Sequence, residues 1–98
     1  MKAYTGPKKI SNLKGSKYGE GKVMLKWKRS SNATGYEVLY SETKNGKYTY
    51  ACRIVGKYDG MIIYNVPKGT LYYKVRAFNV YGKKRVYSGL SSPVAITM

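Results

Sequence analysis

Ninety-eight residues with 43% hydrophobic content suffice for one core and are too few for two. Nineteen Lys and Arg against four acids (Glu20, Glu37, Glu42, Asp59) give a formal charge of +15, which draws polyanions to the surface. A single cysteine, Cys52, and no histidine exclude an internal disulfide, a zinc cluster and an imidazole base, so no metal or other cofactor is expected and catalysis lacks its usual acid and base groups.

In chain order, residues 1–7 are expected to be a flexible leader to a single domain over 8–98. A first strand falls near residues 8–13, offering Ile10 and Leu13 to the core. Val23, Leu25 and Trp27 alternate with Lys22, Met24, Lys26 and Lys28, the period of a strand buried on one face. After the break at residues 30–35, Tyr36, Val38 and Tyr40 resume the alternation, with Glu37 and Leu39 on the opposite side. Asn45-Gly46 can take positive φ, which predicts a tight hairpin into a strand over 47–55. On that strand Tyr48, Tyr50 and Cys52 share a face at period two, with the two tyrosines as an aromatic platform or cross-strand pair and the thiol half-buried and unreactive. Asp59-Gly60 repeats the turn before a strand over 61–66, which Pro67 closes. Thr70 opens the longest alternating run, with Leu71, Tyr73, Val75 and Ala77 on one face. A long hairpin loop over 79–89 then carries Lys83, Lys84 and Arg85, and a last strand follows over 94–98. No helical stripe, internal repeat or heptad appears, and twelve tyrosines add β-prone, amphipathic rings. The fold class is all-β: an immunoglobulin-like sandwich of about seven antiparallel strands in two sheets.

The sequence resembles the fibronectin type III family, in particular the Lys- and Tyr-rich modules of surface and secreted proteins of Gram-positive bacteria. The residues that carry this likeness are Pro7, Val23-Met24-Leu25-Lys26-Trp27, Ala33-Thr34-Gly35-Tyr36-Glu37-Val38, the run from Gly69 to Ala77, and Tyr87-Ser88-Gly89-Leu90-Ser91-Ser92-Pro93-Val94. The resemblance implies a tyrosine corner at the start of the sixth strand, where alignment on Val75-Arg76-Ala77 puts Leu71 and leaves Tyr72 as the substitute. An Arg-Gly-Asp triplet, found in some animal members, is absent.

The family topology would gather three loops at one pole, over 28–32, 57–60 and 79–89. Lys28, Arg29, Lys57, Lys83, Lys84 and Arg85 would concentrate positive charge there, with Tyr58, Tyr81 and Tyr87 as stacking surfaces for anionic polymers or glycans. The competing reading is that these lysines solubilise the sandwich and guard its edges. Two functions follow. One is a non-catalytic spacer, adhesion or interaction module that sits beside neighbouring domains in a larger bacterial surface or secreted protein. The other is a complete small protein such as a bacteriophage virion decoration subunit, which the lack of an apolar signal-like run after Met1 would suit. Specific nucleic-acid binding ranks last because the cations are spread over nearly every strand and loop, and no segment has the length to insert in a membrane.

Overall fold

A computed structural model of the chain describes residues 6–30 and 33–98. Among them are eight strands and no helix: β1 (Ser11–Gly19), β2 (Lys22–Lys28), β3 (Gly35–Ser41), β4 (Thr49–Val55), β5 (Gly60–Ile63), β6 (Thr70–Tyr81), β7 (Lys84–Tyr87) and β8 (Val94–Thr97). They form two antiparallel sheets packed face to face. One has the order β1-β2-β5; the other has the order β4-β3-β6-β7, with β8 also on β6. The all-β sandwich is therefore present.

Alternation explains the central strands. Val23, Leu25 and Trp27 of β2 and Tyr36 and Val38 of β3 point inward, as do Tyr73, Val75 and Ala77 of β6, and all join one core with Ile10 and Ile96. The Trp27 and Tyr36 rings meet at 5.3 Å in a tilted contact across the two sheets. Leu71 fills the corner position with its side chain against the core. The corner is held instead by paired backbone bonds between Gly69 and Met98, and by the Val66 N–H donating to the Gly21 carbonyl.

Several expectations fail for identifiable reasons. β1 starts later than expected and runs on to Gly19, because Asn12, at φ 58°, bulges the strand and the irregular pattern that follows still pairs with β2. Neither Asn45 nor Gly46 has positive φ; residues 43–46 form a turn closed by the Gly46 N–H on the Thr43 carbonyl, and β4 begins only at Thr49. β5 stops at Ile63 rather than 66, since Asn65 adopts φ 58° and turns the chain away. The expected long loop over 79–89 is a two-residue hairpin, Gly82-Lys83, in which Gly82 takes φ 63° so that Tyr81 pairs with Lys84.

The gap between β7 and β8 is closed by side chains. The backbone of Ser88 donates to the Ala77 carbonyl and that of Ser91 to the Val75 carbonyl. In return the Ser88 and Ser91 hydroxyl oxygens accept the Ala77 and Val75 N–H groups at 2.8 and 2.9 Å. The ladder of β6 is thus satisfied along a stretch that is itself not a strand.

Gly35, between β4 and β6, has no room for a side chain: a Cβ there would lie 2.5 Å from the Ile54 carbonyl oxygen and 2.8 Å from the Phe78 ring. Gly35→Ala should therefore cost about 2–3 kcal/mol through overpacking and lower Tm by about 10 °C or more in a thermal melt.

Candidate functional site

The loop cluster forms where β2 ends. The Trp27 backbone donates to the Asp59 carbonyl at 2.8 Å, and its indole N–H donates to the Tyr58 carbonyl at 3.2 Å. The Arg29 guanidinium donates to the Lys57 carbonyl at 3.3 Å. These bonds staple the turn between β4 and β5 onto the end of β2, which brings Lys28, Arg29, Lys57 and Tyr58 together. Gly56, at φ 127°, lets the Tyr58 ring fold back over its Cα. The Thr34 N–H bonds both the Phe78 carbonyl and Asn79 Oδ1, so β6 runs on past the start of β3 at this same end, paired with β7, and carries the hairpin tip with Tyr81, Lys83 and Lys84. Of the expected loop over 28–32, Ser31 and Asn32 lie outside the described residues.

Arg85 and Tyr87 turn elsewhere. In the β6–β7 register they lie opposite Val80 and Phe78, which puts them on the outer face of the five-stranded sheet. There Arg85 sits 5.5 Å from the Phe78 ring centre and donates to the Tyr87 hydroxyl at 3.3 Å, while Tyr87 meets Phe78 edge-on at 6.3 Å.

The centre of that face is a group the loop-based reading did not single out. Glu37 points outward from β3, yet it is only 1% exposed. Arg53 of β4 reaches Oε2 at 2.8 Å, Arg76 of β6 reaches Oε1 at 2.9 Å, and the Tyr87 hydroxyl lies 3.4 Å from Oε2. The guanidinium of Arg76 also stacks 3.8 Å from the Tyr87 ring centre. Burial pushes the Glu37 carboxyl up, but hydrogen bonds and charge from Arg53 and Arg76 outweigh it, and the net shift is downward. One carboxylate therefore binds β3 to both of its neighbours and touches β7.

Cys52 does not share the face of Tyr50. Val38 pairs with Cys52 and Leu39 with Tyr50, so Ala51 is an extra residue in β4 and reverses the alternation. Cys52 follows Val38 inward and sets its sulfur 3.7 Å from that of Met61, whereas Tyr50 follows Leu39 outward beneath Arg53. Tyr48, ahead of β4, lies against Lys74 at 4.5 Å on that same outer side and donates to the Lys44 carbonyl.

Two sheets in this order, with β3 and β6 central and the last strand split across β6, settle the architecture. The chain has the fibronectin type III fold. Solved structures agree with this. About a third of the FN1-FN3 fragment of chicken CNTN1 superposes with TM-score 0.73 at 17% identity, over 94% of this chain and 31% of that one. An Fn3-like protein from Clostridium thermocellum gives TM-score 0.66 at 21% identity, over 95% and 91%. The spore cortex lytic enzyme SleM of Clostridium perfringens gives 0.61 at 21%, over 89% and 28%. No family model and no curated protein matches the sequence.

Two outcomes follow for a chain with this fold. Glu37 has a folded-state pKa below its unfolded value near 4.5, so its ion pairs contribute fully at neutral pH and are lost as pH falls through the folded value. Denaturant melts should show stability falling below about pH 4.5. In Glu37→Gln this slope should flatten. Its loss at pH 7 should be about 2 kcal/mol, less than the 3–5 of a wholly buried pair because both guanidiniums keep contact with water. Burial raises the Cys52 thiol above its ordinary value, so at pH 8 a disulfide reagent should label it at least about tenfold more slowly than it labels the denatured chain.

Proposed function

We propose that this chain is a non-catalytic fibronectin type III module, a spacer with adhesive or interaction capacity within a larger bacterial surface or secreted protein. The observation that supports it best is where the domain places its two ends. Gly6 lies against the Tyr87 backbone and the Lys8 carbonyl accepts the Ser30 hydroxyl, so the chain enters beside the loop cluster. Met98 exchanges backbone bonds with Gly69 at the opposite end of a body 49 Å long and 25 by 23 Å across. Such a unit adds length when joined to neighbours and leaves its sheet faces open. The same fold is one part of a longer chain in the CNTN1 fragment and in SleM, which fits a modular role. The virion-subunit reading gains no support from these structures. Among the described residues no helix is long and apolar enough to cross a membrane, and placement outside the cell is part of this proposal.

The proposed partners are anionic cell-wall polymers or glycans, held by Lys28, Arg29, Lys57, Lys83 and Lys84 with Tyr58 and Tyr81 beside them. Arg85 and Tyr87 contribute from the adjacent sheet face, where their contacts with Phe78 and Glu37 fix their positions. A net charge of +15 attracts polyanions whatever its arrangement, so the test must separate a cluster from a total. Lys57→Ser/Lys83→Ser/Lys84→Ser and Lys14→Ser/Lys17→Ser/Lys26→Ser remove equal charge, the first from the loop cluster and the second from β1 and β2. Binding to immobilised polyglycerol-phosphate teichoic acid in about 0.15 M salt should fall about tenfold in the first and less than about threefold in the second. Equal losses would assign retention to overall charge alone.

A further inference from the structure

The sandwich is open along the side where two edge strands, β4 of one sheet and β5 of the other, lie next to each other. Towards the end remote from the loop cluster this side holds a groove of about 500 Å³, within the size range of small-ligand sites. Its apolar base is Ile63, Val66 and Leu71. Tyr40, Tyr50 and Tyr64 line it while remaining 36%, 49% and 60% exposed. Glu42 and Asn65 add a carboxylate and an amide.

Charge decides what such a groove can hold. Lys and Arg make up 19 of the 98 residues, yet among the described residues none lines this groove, while one of the four acids does. A polyanion would find no cation in the lining, where Glu42 would repel it, and the nearest cations, Lys22 and Arg53, stand behind the tyrosine rings. A second copy of the chain would bring another +15 against the first. The tyrosines instead present flat apolar rings with hydroxyl edges, the complement of a pyranose, whose C–H faces are apolar and whose rim is hydroxyl. Two rings are braced from outside the groove: Lys22 Nζ lies 5.7 Å from the Tyr64 ring centre and the Arg53 guanidinium 5.5 Å from that of Tyr50. Rings ordered in advance lose less freedom when a ligand stacks on them.

We propose that this groove binds an uncharged pyranose oligosaccharide, with tyrosine rings stacked on sugar C–H faces and Glu42 and Asn65 accepting or donating to sugar hydroxyls. It rests on the interaction-module reading but uses residues and a ligand chemistry separate from the loop cluster, so either can fail alone. The test is a titration of ¹⁵N-labelled protein with chitotetraose and with cellotetraose to about 10 mM, followed by amide shifts. At least one sugar should give saturable shifts at Ala51, Ile63 and Asn65 with Kd on the order of 1 mM, and raising the salt should leave them unchanged. Tyr64→Ala, at an exposed site that should keep the fold and a dispersed spectrum, should weaken binding at least about tenfold, and Tyr18→Ala, at an exposed ring on β1 outside both sites, should not. Absence of saturable shifts with both sugars overturns the proposal, as does equal binding by Tyr64→Ala. Shifts of these amides by a Val/Ile-rich strand peptide, with no response to either sugar, would overturn it in favour of peptide docking.

Discussion

The five-stranded sheet is organised around one buried carboxylate. Glu37 lies at the middle of β3, with Arg53 on one neighbouring strand and Arg76 on the other. Removing a carboxylate from water is costly unless its oxygens are satisfied, and here each oxygen has a guanidinium. The arrangement depends on register: a one-residue slip of β4 or β6 would turn its arginine to the core and leave Glu37 without it. The pair thus specifies alignment as well as contributing stability, and the rings of Phe78, Tyr50 and Tyr87 pack around the same guanidiniums. A sheet face that would otherwise be open to water becomes a second, polar layer of packing.

Much of the fold was legible because period-two alternation is a direct record of a half-buried strand. β2, β3 and β6 carry it cleanly, and Trp27, Tyr36 and Val75 fall in the core as their spacing requires. β1 carries it poorly: Asn12 takes a left-handed φ, and Gly15 stands at a core-facing point where Leu25 and Ile96 leave no space for a side chain. A bulge is equally hard to read. One extra residue, Ala51, separates the faces of Tyr50 and Cys52, and nothing in the local composition marks it. For the candidate sites, the grouping of Lys28, Arg29, Lys57 and Tyr58 was readable from topology, but the burial of Glu37 was not. Alternation shows that Glu37 points outward, and says nothing of what covers it. The available signal was a rare acid flanked in the sheet by strands with arginines at outward positions.

The surfaces of the sandwich differ in chemistry. On the outer face of the five-stranded sheet Arg53, Lys74, Arg76 and Arg85 are engaged with rings or with Glu37. The groove between the edge strands has a different composition, aromatic with a single carboxylate. A small sandwich with one core can in this way present surfaces of different chemistry without any change in fold.

The position of the two ends also fixes how the domain would carry a pulling force. β1 runs away from the loop cluster, and β8 runs in the same direction towards Met98, while each pairs with an antiparallel strand. Tension between Gly6 and Met98 therefore acts along the strands and across their hydrogen bonds, which lie perpendicular to the strand axis. The bonds of β8 to β6, together with the Ser88 and Ser91 bonds that extend them, are loaded in shear, as a group, and not unzipped one after another. Resistance to stretching is built into the order of the strands.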